Sequence, residues 1–167
     1  MNETQNTILT QKQITHKLRR IAYQIYESNV DETEIVLAGI DSNGYVMAKK
    51  LKTILEKISD LNPILCKVKI NKKAPQSKIE TSIPAEEYSN KSVVLIDDVL
   101  NSGSTLIYGV KHFLDVPLKQ FKTAVLVNRN HKKYPVKADF KGISLSTSIH
   151  EHVEVILTGK DSQAYLD

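Results

Sequence analysis

The sequence predicts an α/β fold built on a doubly wound, mainly parallel sheet, with a small cap and a flexible lid loop. Three observations carry that prediction. Short runs of β-branched and aliphatic residues recur at Ile35–Ile40, Val93–Ile96 and Phe121–Val127, too short for helices and apolar enough to be covered on both faces. Helical periods stand between these runs. Turn-forming residues follow the first two, at Asp41-Ser42-Asn43-Gly44 and Asn101-Ser102-Gly103. Strands and helices therefore alternate, which calls for right-handed crossovers and parallel pairing. A chain of 167 residues without repeats or low-complexity stretches fits a single domain, 1–167.

In chain order, Thr10 and Gln13 have capping-box spacing, and Ile14, Leu18, Ile21, Ala22 and Ile25 recur on one face, which predicts a helix over 11–27. Its other face carries Lys12, His16, Arg19 and Tyr23, with Arg20 to one side; such a basic face is either solvated or an RNA contact. After the strand at 34–40, Met47, Leu51, Ile54, Leu55 and Ile58 mark a second helix. Gly39 and Gly44 have the spacing that opens a P-loop, but Tyr45 stands where its lysine must be, so that nucleotide site is excluded. Residues 63–70 alternate, with Cys66, Val68 and Ile70 on one side, as in a strand near a sheet edge. Residues 71–92 then read as a flexible loop with room for a short hairpin. A helix from Leu106 to Leu114 and the strand at 121–127 follow. The basic, turn-rich stretch 128–152 is expected to form a cap, or hood, beside the sheet, and Val153–Leu157 a last strand.

Bulk properties exclude several classes. A 41% hydrophobic, 25% charged composition is that of an ordinary soluble protein, no apolar run has membrane-spanning length, and MNETQNTILT lacks the layout of a signal peptide, so a cytoplasmic protein without membrane contact is expected. Cys66 stands alone, which rules out an internal disulfide and a cysteine zinc site. The net charge of +4 suits a phosphate-bearing ligand or RNA without specifying either.

The candidate site lies in KSVVLIDDVLNSGST, residues 91–105. Asp97 and Asp98 close an apolar strand, where ligands bind in open α/β sheets. Ser102, Gly103, Ser104 and Thr105 then lead into a helix N-terminus, whose outward backbone N–H groups and partial positive charge suit a phosphate. The two acids would repel that phosphate if they faced it. They suit sugar hydroxyls, or Mg²⁺ held through substrate or water.

The run VVLIDDVLNSGST resembles the phosphoribosyl pyrophosphate (PRPP) motif of type I phosphoribosyltransferases. Together with Arg19-Arg20-Ile21-Ala22, LAGIDSNG and VLVNRNHKKYPVKADFKGISLSTS, it extends over almost the whole chain as a resemblance to the pyrimidine-operon regulator and uracil phosphoribosyltransferase (PyrR) family. The resemblance implies a type I phosphoribosyltransferase fold and an enzyme that binds PRPP with Mg²⁺ and transfers ribose 5-phosphate to a nucleobase, uracil favoured, releasing pyrophosphate. Asp97 and Asp98 would hold the ribose hydroxyls, Ser102 to Thr105 the 5′-phosphate, Asn101 would stand beside base and leaving group, and Ser42 and Asn43 would form the pyrophosphate loop. Phe140 would stack on the base and the Lys141 backbone read its edge. The alternative implied is a regulator that keeps the PRPP site with weak or no turnover and binds RNA through Arg19, Arg20 and Lys137. A homodimer or higher homo-oligomer is expected in either case.

The chain departs from the family pattern at four places: Asn43, Ile70-Asn71 and Ser104, where the family commonly carries an arginine, an Arg-Asp pair and an arginine, and Asn128, where an acid is usual. Cations aimed at a leaving pyrophosphate stabilise the transition state, so reduced activity is expected.

Overall fold

A computed structural model describes residues 6–148 and 150–167. Thirteen elements occur among them. The order is β1 (Asn6–Leu9), α1 (Gln11–Glu27), β2 (Glu34–Ile40), α2 (Asn43–Ile58), β3 (Asn62–Lys69), β4 (Glu80–Thr81), α3 (Ala85–Tyr88), β5 (Ser92–Leu100), α4 (Ser104–Phe113), β6 (Gln120–Arg129), β7 (Phe140–Leu145), β8 (Val153–Ile156) and β9 (Gln163–Leu166).

The main sheet has the order β4-β3-β2-β5-β6-β7, parallel except for the two-residue β4. Side chains of β2 and β5 are buried on both faces: Ile35, Leu37, Val94 and Ile96 join the core under α1 and α2, while Val36, Ala38, Val93 and Leu95 join the core under α4. This is the two-sided burial that unbroken apolar strands require. The predicted first helix is closed as expected, with Gln13 N and Thr10 N bonded reciprocally to the side chains of Thr10 and Gln13.

Two expectations are corrected. β5 does not stop at Ile96; it runs through both acids to Leu100, because β6 continues beside it, pairing Val99 with Val127 and Leu100 with Asn128. The stretch read as a cap contributes β7 to the main sheet, paired from Ala124–Phe140 to Arg129–Leu145. Gly142 permits this, since a side chain there would run into the Leu126 backbone. Within 71–92 the short hairpin for which the sequence left room is β4 against β3, and Tyr88 in α3 is buried, its ring 4.8 Å from that of Phe113. Residues 71–79 follow an irregular path.

A second, three-stranded antiparallel sheet of order β1-β9-β8 forms the hood. The predicted last strand is its β8, and neither β1 nor β9 was expected.

Candidate functional site

The site forms where the strand order changes direction. Chain passes from β2 outward to β3 on one side, while β5 lies on the other side of β2, so the carboxyl ends of β2 and β5 border a crevice with no crossover above it. Ser42 and Asn43 open α2 on one edge, and Asp97 to Thr105 form the other.

Two glycines allow these edges to meet. A Cβ on Gly44 would lie 2.6 Å from Ile96 O and 3.1 Å from Asp97 Cα, and one on Gly39 would lie 2.5 Å from Tyr45 Cα. Only hydrogen fits at such separations, so α2 starts directly against the end of β5.

The two acids have different neighbours. Asp97 is 4% exposed and its Oδ1 lies 3.7 Å from Lys72 Nζ. Burial pushes its carboxyl well above the usual carboxylate range; the neighbouring Asp98 charge adds to this and Lys72 opposes it. Asp98 accepts through Oδ2 from Asn43 Nδ2 at 3.0 Å and through Oδ1 from Val99 N at 2.9 Å. The same Asn43 nitrogen donates to Val155 O in β8 at 2.9 Å. Asn43, expected at the pyrophosphate, thus ties α2, β5 and the hood together.

After Leu100 the chain turns through Asn101 and Ser102 to Gly103, whose φ of 89° is the left-handed conformation glycine tolerates. The α4 ladder begins at Ile107, which donates to Gly103 O, so the amides before it point outward; Ser104 N is met by Ser102 Oγ at 3.3 Å. Ser102 O in turn accepts from Lys133 N at 2.8 Å and Tyr134 N at 3.1 Å, which backs the loop with the segment after β6. Asp97, Asn101 to Thr105 and Lys72 line one cleft.

One functional residue was missed by reading the sequence. Arg129, at the end of β6, is 7% exposed and donates to Asn101 Oδ1 at 3.0 Å, Thr147 Oγ1 at 2.9 Å, Ser148 O at 3.2 Å and Glu151 O at 2.6 Å. With its Oδ1 taken, Asn101 offers a ligand its amide N–H groups. In the sequence Arg129 is one cation of a basic run, and its partners are mostly carbonyls, which leave no pattern.

Phe140 and Lys141 are not brought to the cleft. Phe140 begins β7 opposite Ala124, which is level with Ile96, and neither Phe140 nor Lys141 is among the residues lining the cleft. Its ring packs against the core under α1. Lys141 O accepts from Arg20 Nη2 at 3.0 Å, and Gly142 O from the same nitrogen at 2.8 Å. Arg20 is thus bonded to β7 while still exposed; Arg19 is exposed beside the Tyr23 ring, and Lys137 is exposed. The hood edge near the acids is β8.

Asp97 and Asp98 supply oxygen donors suited to Mg²⁺, but no group of three or more acidic, histidine or cysteine side chains able to hold a metal occurs among the described residues. The donor set fits an ion that brings substrate oxygens and water with it. No helix among the described residues is long and apolar enough to cross a membrane.

Comparison with known proteins agrees with this geometry. The family described as Phosphoribosyl transferase domain matches residues 4–158. The chain is 33% identical to the Bifunctional protein PyrR of Clostridium botulinum across 99% of its own length and 98% of the relative's. It is 32% identical to the Bifunctional protein PyrR of Streptomyces coelicolor across 93% of its length and 85% of the relative's. Among solved structures, a hypoxanthine-guanine phosphoribosyltransferase from Bacillus anthracis superposes with a TM-score of 0.71 at 19% identity, covering 86% of this chain and 84% of that one. The hypoxanthine phosphoribosyltransferase of Trypanosoma cruzi in complex with IMP gives 0.72 at 15% identity, covering 92% and 85%. At those identities the structures speak for the fold alone. Fold, site layout and sequence relatives together place the chain in the phosphoribosyltransferase family, as a type I member of the PyrR type.

Proposed function

We propose that the protein transfers ribose 5-phosphate from PRPP to uracil, with Mg²⁺ accompanying the donor, and releases pyrophosphate. The observation that carries this reading is one continuous stretch, Asp97 to Thr105, in which two carboxylates at the switch-point crevice run directly into an outward-facing, hydroxyl-rich helix N-terminus. Carboxylates accept from sugar hydroxyls, and amides and hydroxyls of Ser102, Ser104 and Thr105 donate to a phosphate.

In the reaction the bond from the anomeric carbon to pyrophosphate breaks, a carbon–nitrogen bond to the base forms, and the base loses its N–H proton. The sugar passes through an oxocarbenium-like state, so the protein's task is to hold the ribose, keep water out and steady charge. Asp97 and Asp98 hold the hydroxyls. Mg²⁺ when bound neutralises phosphate charge beside the same two carboxylates. Asn101, kept in place by Arg129, presents N–H groups beside the reacting centre. The base lies above Val99 and under the hood edge from Glu151 to Val155, a placement supported by the Asn43 link to Val155 and the Arg129 link to Glu151.

The test is direct: incubate the protein with PRPP, Mg²⁺ and, separately, uracil, hypoxanthine, guanine and xanthine, and measure nucleotide and pyrophosphate. UMP and pyrophosphate in equal amounts are expected. A different single base would correct the substrate, and absence of PRPP binding would overturn the reading.

A second role, RNA binding, is favoured by the exposed cations Arg19 and Lys137 and by family membership; Arg20, exposed on the same helix, also bonds Lys141 O and Gly142 O of β7. A cytoplasmic homodimer is the form in which we expect both.

A further inference from the structure

The cleft between Asp97 and Thr105 has an uneven charge. Its phosphate end is built from neutral donors, Ser102, Ser104, Thr105 and backbone amides, and among the described residues lining the cleft Lys72 is the one cation. Lys72 does not come from that loop. It comes from the segment after β3, and its placement is built in: Ala74 N donates to Asn71 O at 3.0 Å and Lys73 N to Asn71 Oδ1 at 3.0 Å, so Asn71 closes a tight turn and fixes the position from which Lys72 projects. Below the turn, the β3–β4 hairpin is braced by Lys67 N donating to Ser82 Oγ at 2.8 Å and Ser82 N to Lys67 O at 2.9 Å.

Without a ligand, the Lys72 ammonium lies 3.7 Å from Asp97 Oδ1, on the carboxylate assigned above to the ribose hydroxyls. Those hydroxyls and the ammonium compete for the same oxygen. A phosphate seated in the adjacent loop offers the lysine a dianion within the reach of its four-carbon stem, and the side chain is half exposed, free to swing.

Resting on the proposed function, we propose that Lys72 is the phosphate cation of this site: it occupies Asp97 in the free protein and passes to the 5′-phosphate when the sugar phosphate binds. The turn 71–74 thereby supplies to the phosphate loop, from a neighbouring strand end, the positive charge that Ser104 does not provide. The same exchange makes the free site self-neutralised.

Titration calorimetry with ribose 5-phosphate, inorganic pyrophosphate and PRPP with Mg²⁺ tests this on the wild type, Lys72→Met and Lys72→Arg. Lys72→Met is expected to weaken ribose 5-phosphate and PRPP about 10- to 100-fold, the worth of one charge-assisted contact, while leaving inorganic pyrophosphate unchanged; Lys72→Arg restores most of the loss. Thermal melts should coincide, so that loss of folding is not the cause. If Lys72→Met binds ribose 5-phosphate as the wild type does, or weakens pyrophosphate alone, this inference is overturned while the proposed function stands. A wild type that binds no PRPP overturns the proposed function itself, and this inference with it.

Discussion

Arg129 and Asn101 meet through a 3.0 Å hydrogen bond from Nη1 to Oδ1, which joins the end of β6 to the turn beyond β5. The same guanidinium holds Thr147, Ser148 and Glu151, so one buried cation sets both the floor and the near edge of the hood. Arg129→Ala leaves these oxygens without their donor. A loss of about 2–4 kcal/mol in urea unfolding is expected. Lys cannot span the four partners, so Arg129→Lys should recover less than half; full recovery would show that charge alone matters.

Asp97 is raised by burial first and by Asp98 second, against Lys72. The folded protein therefore holds this proton at pH values where the unfolded chain, with its carboxyl near ~3.9, has lost it. Stability from this group falls as pH rises through that window, and the cost is fully present above it. Asp97→Asn should be more stable than the wild type at neutral pH, with the difference shrinking to nothing as pH falls below about 4. A difference in urea midpoint that stays constant from pH 4 to 8 would count against the assignment. The variant should also lose PRPP binding.

Gly44 and Gly103 fail differently when replaced by alanine. At Gly44 the new Cβ meets Ile96 O at 2.6 Å, backbone that cannot give way. At Gly103 it meets Val136 Cγ1, also at 2.6 Å, the tip of a side chain, and the added cost is the left-handed φ, about 1–2 kcal/mol. Gly44→Ala should therefore lower the melting temperature more than Gly103→Ala. The reverse order would mean that the junction of α2 with β5 is looser than described.

Asn43 shares one amide nitrogen between Asp98 and Val155 O. Replacing it with alanine should cost about 1–2 kcal/mol and speed hydrogen exchange in β8 relative to β2. Unchanged exchange in β8 would remove Asn43 from its role as the tie to the hood.

Mg²⁺ is expected to act with the donor rather than as part of the fold. Chelation should stop nucleotide formation and leave the melting temperature of the free protein unchanged, because the described residues contain no group of three ligands to lose. A melt shifted by chelator would point to a resident ion.

Much of this was legible beforehand, for identifiable reasons. Apolar runs such as Val93–Ile96 announce two-sided burial, and Asn101 to Thr105 announce a turn through glycine and hydroxyls, so the sheet and the turn into α4 could be placed by composition over a few residues. The hood could not. Its strands have four residues each, and its pairing joins Asn6 to Leu166, a separation at which local pattern carries no information. β7 was hidden by Lys141 and Gly142, residues unusual in a buried strand; an edge position tolerates the first and close backbone approach requires the second. Phe140 was misplaced for a related reason: which face of the sheet its ring joins depends on parallel registry with β6.

That registry has a consequence for how the site tolerates insertion and deletion. β5 is clamped between β2 and β6, with Val94 and Ile96 on one core and Val93 and Leu95 on the other. Removing one residue from 92–96 would turn every following side chain to the wrong side unless the strand slid to compensate. Without that slide Asp97 would turn toward Asn43 and Asp98 toward Lys72, exchanging the two acids. Length changes in this family member are therefore expected to gather in the stretch 71–79 and between β6 and β7, while the spacing from Ser92 to Gly103 admits substitution but no change of count.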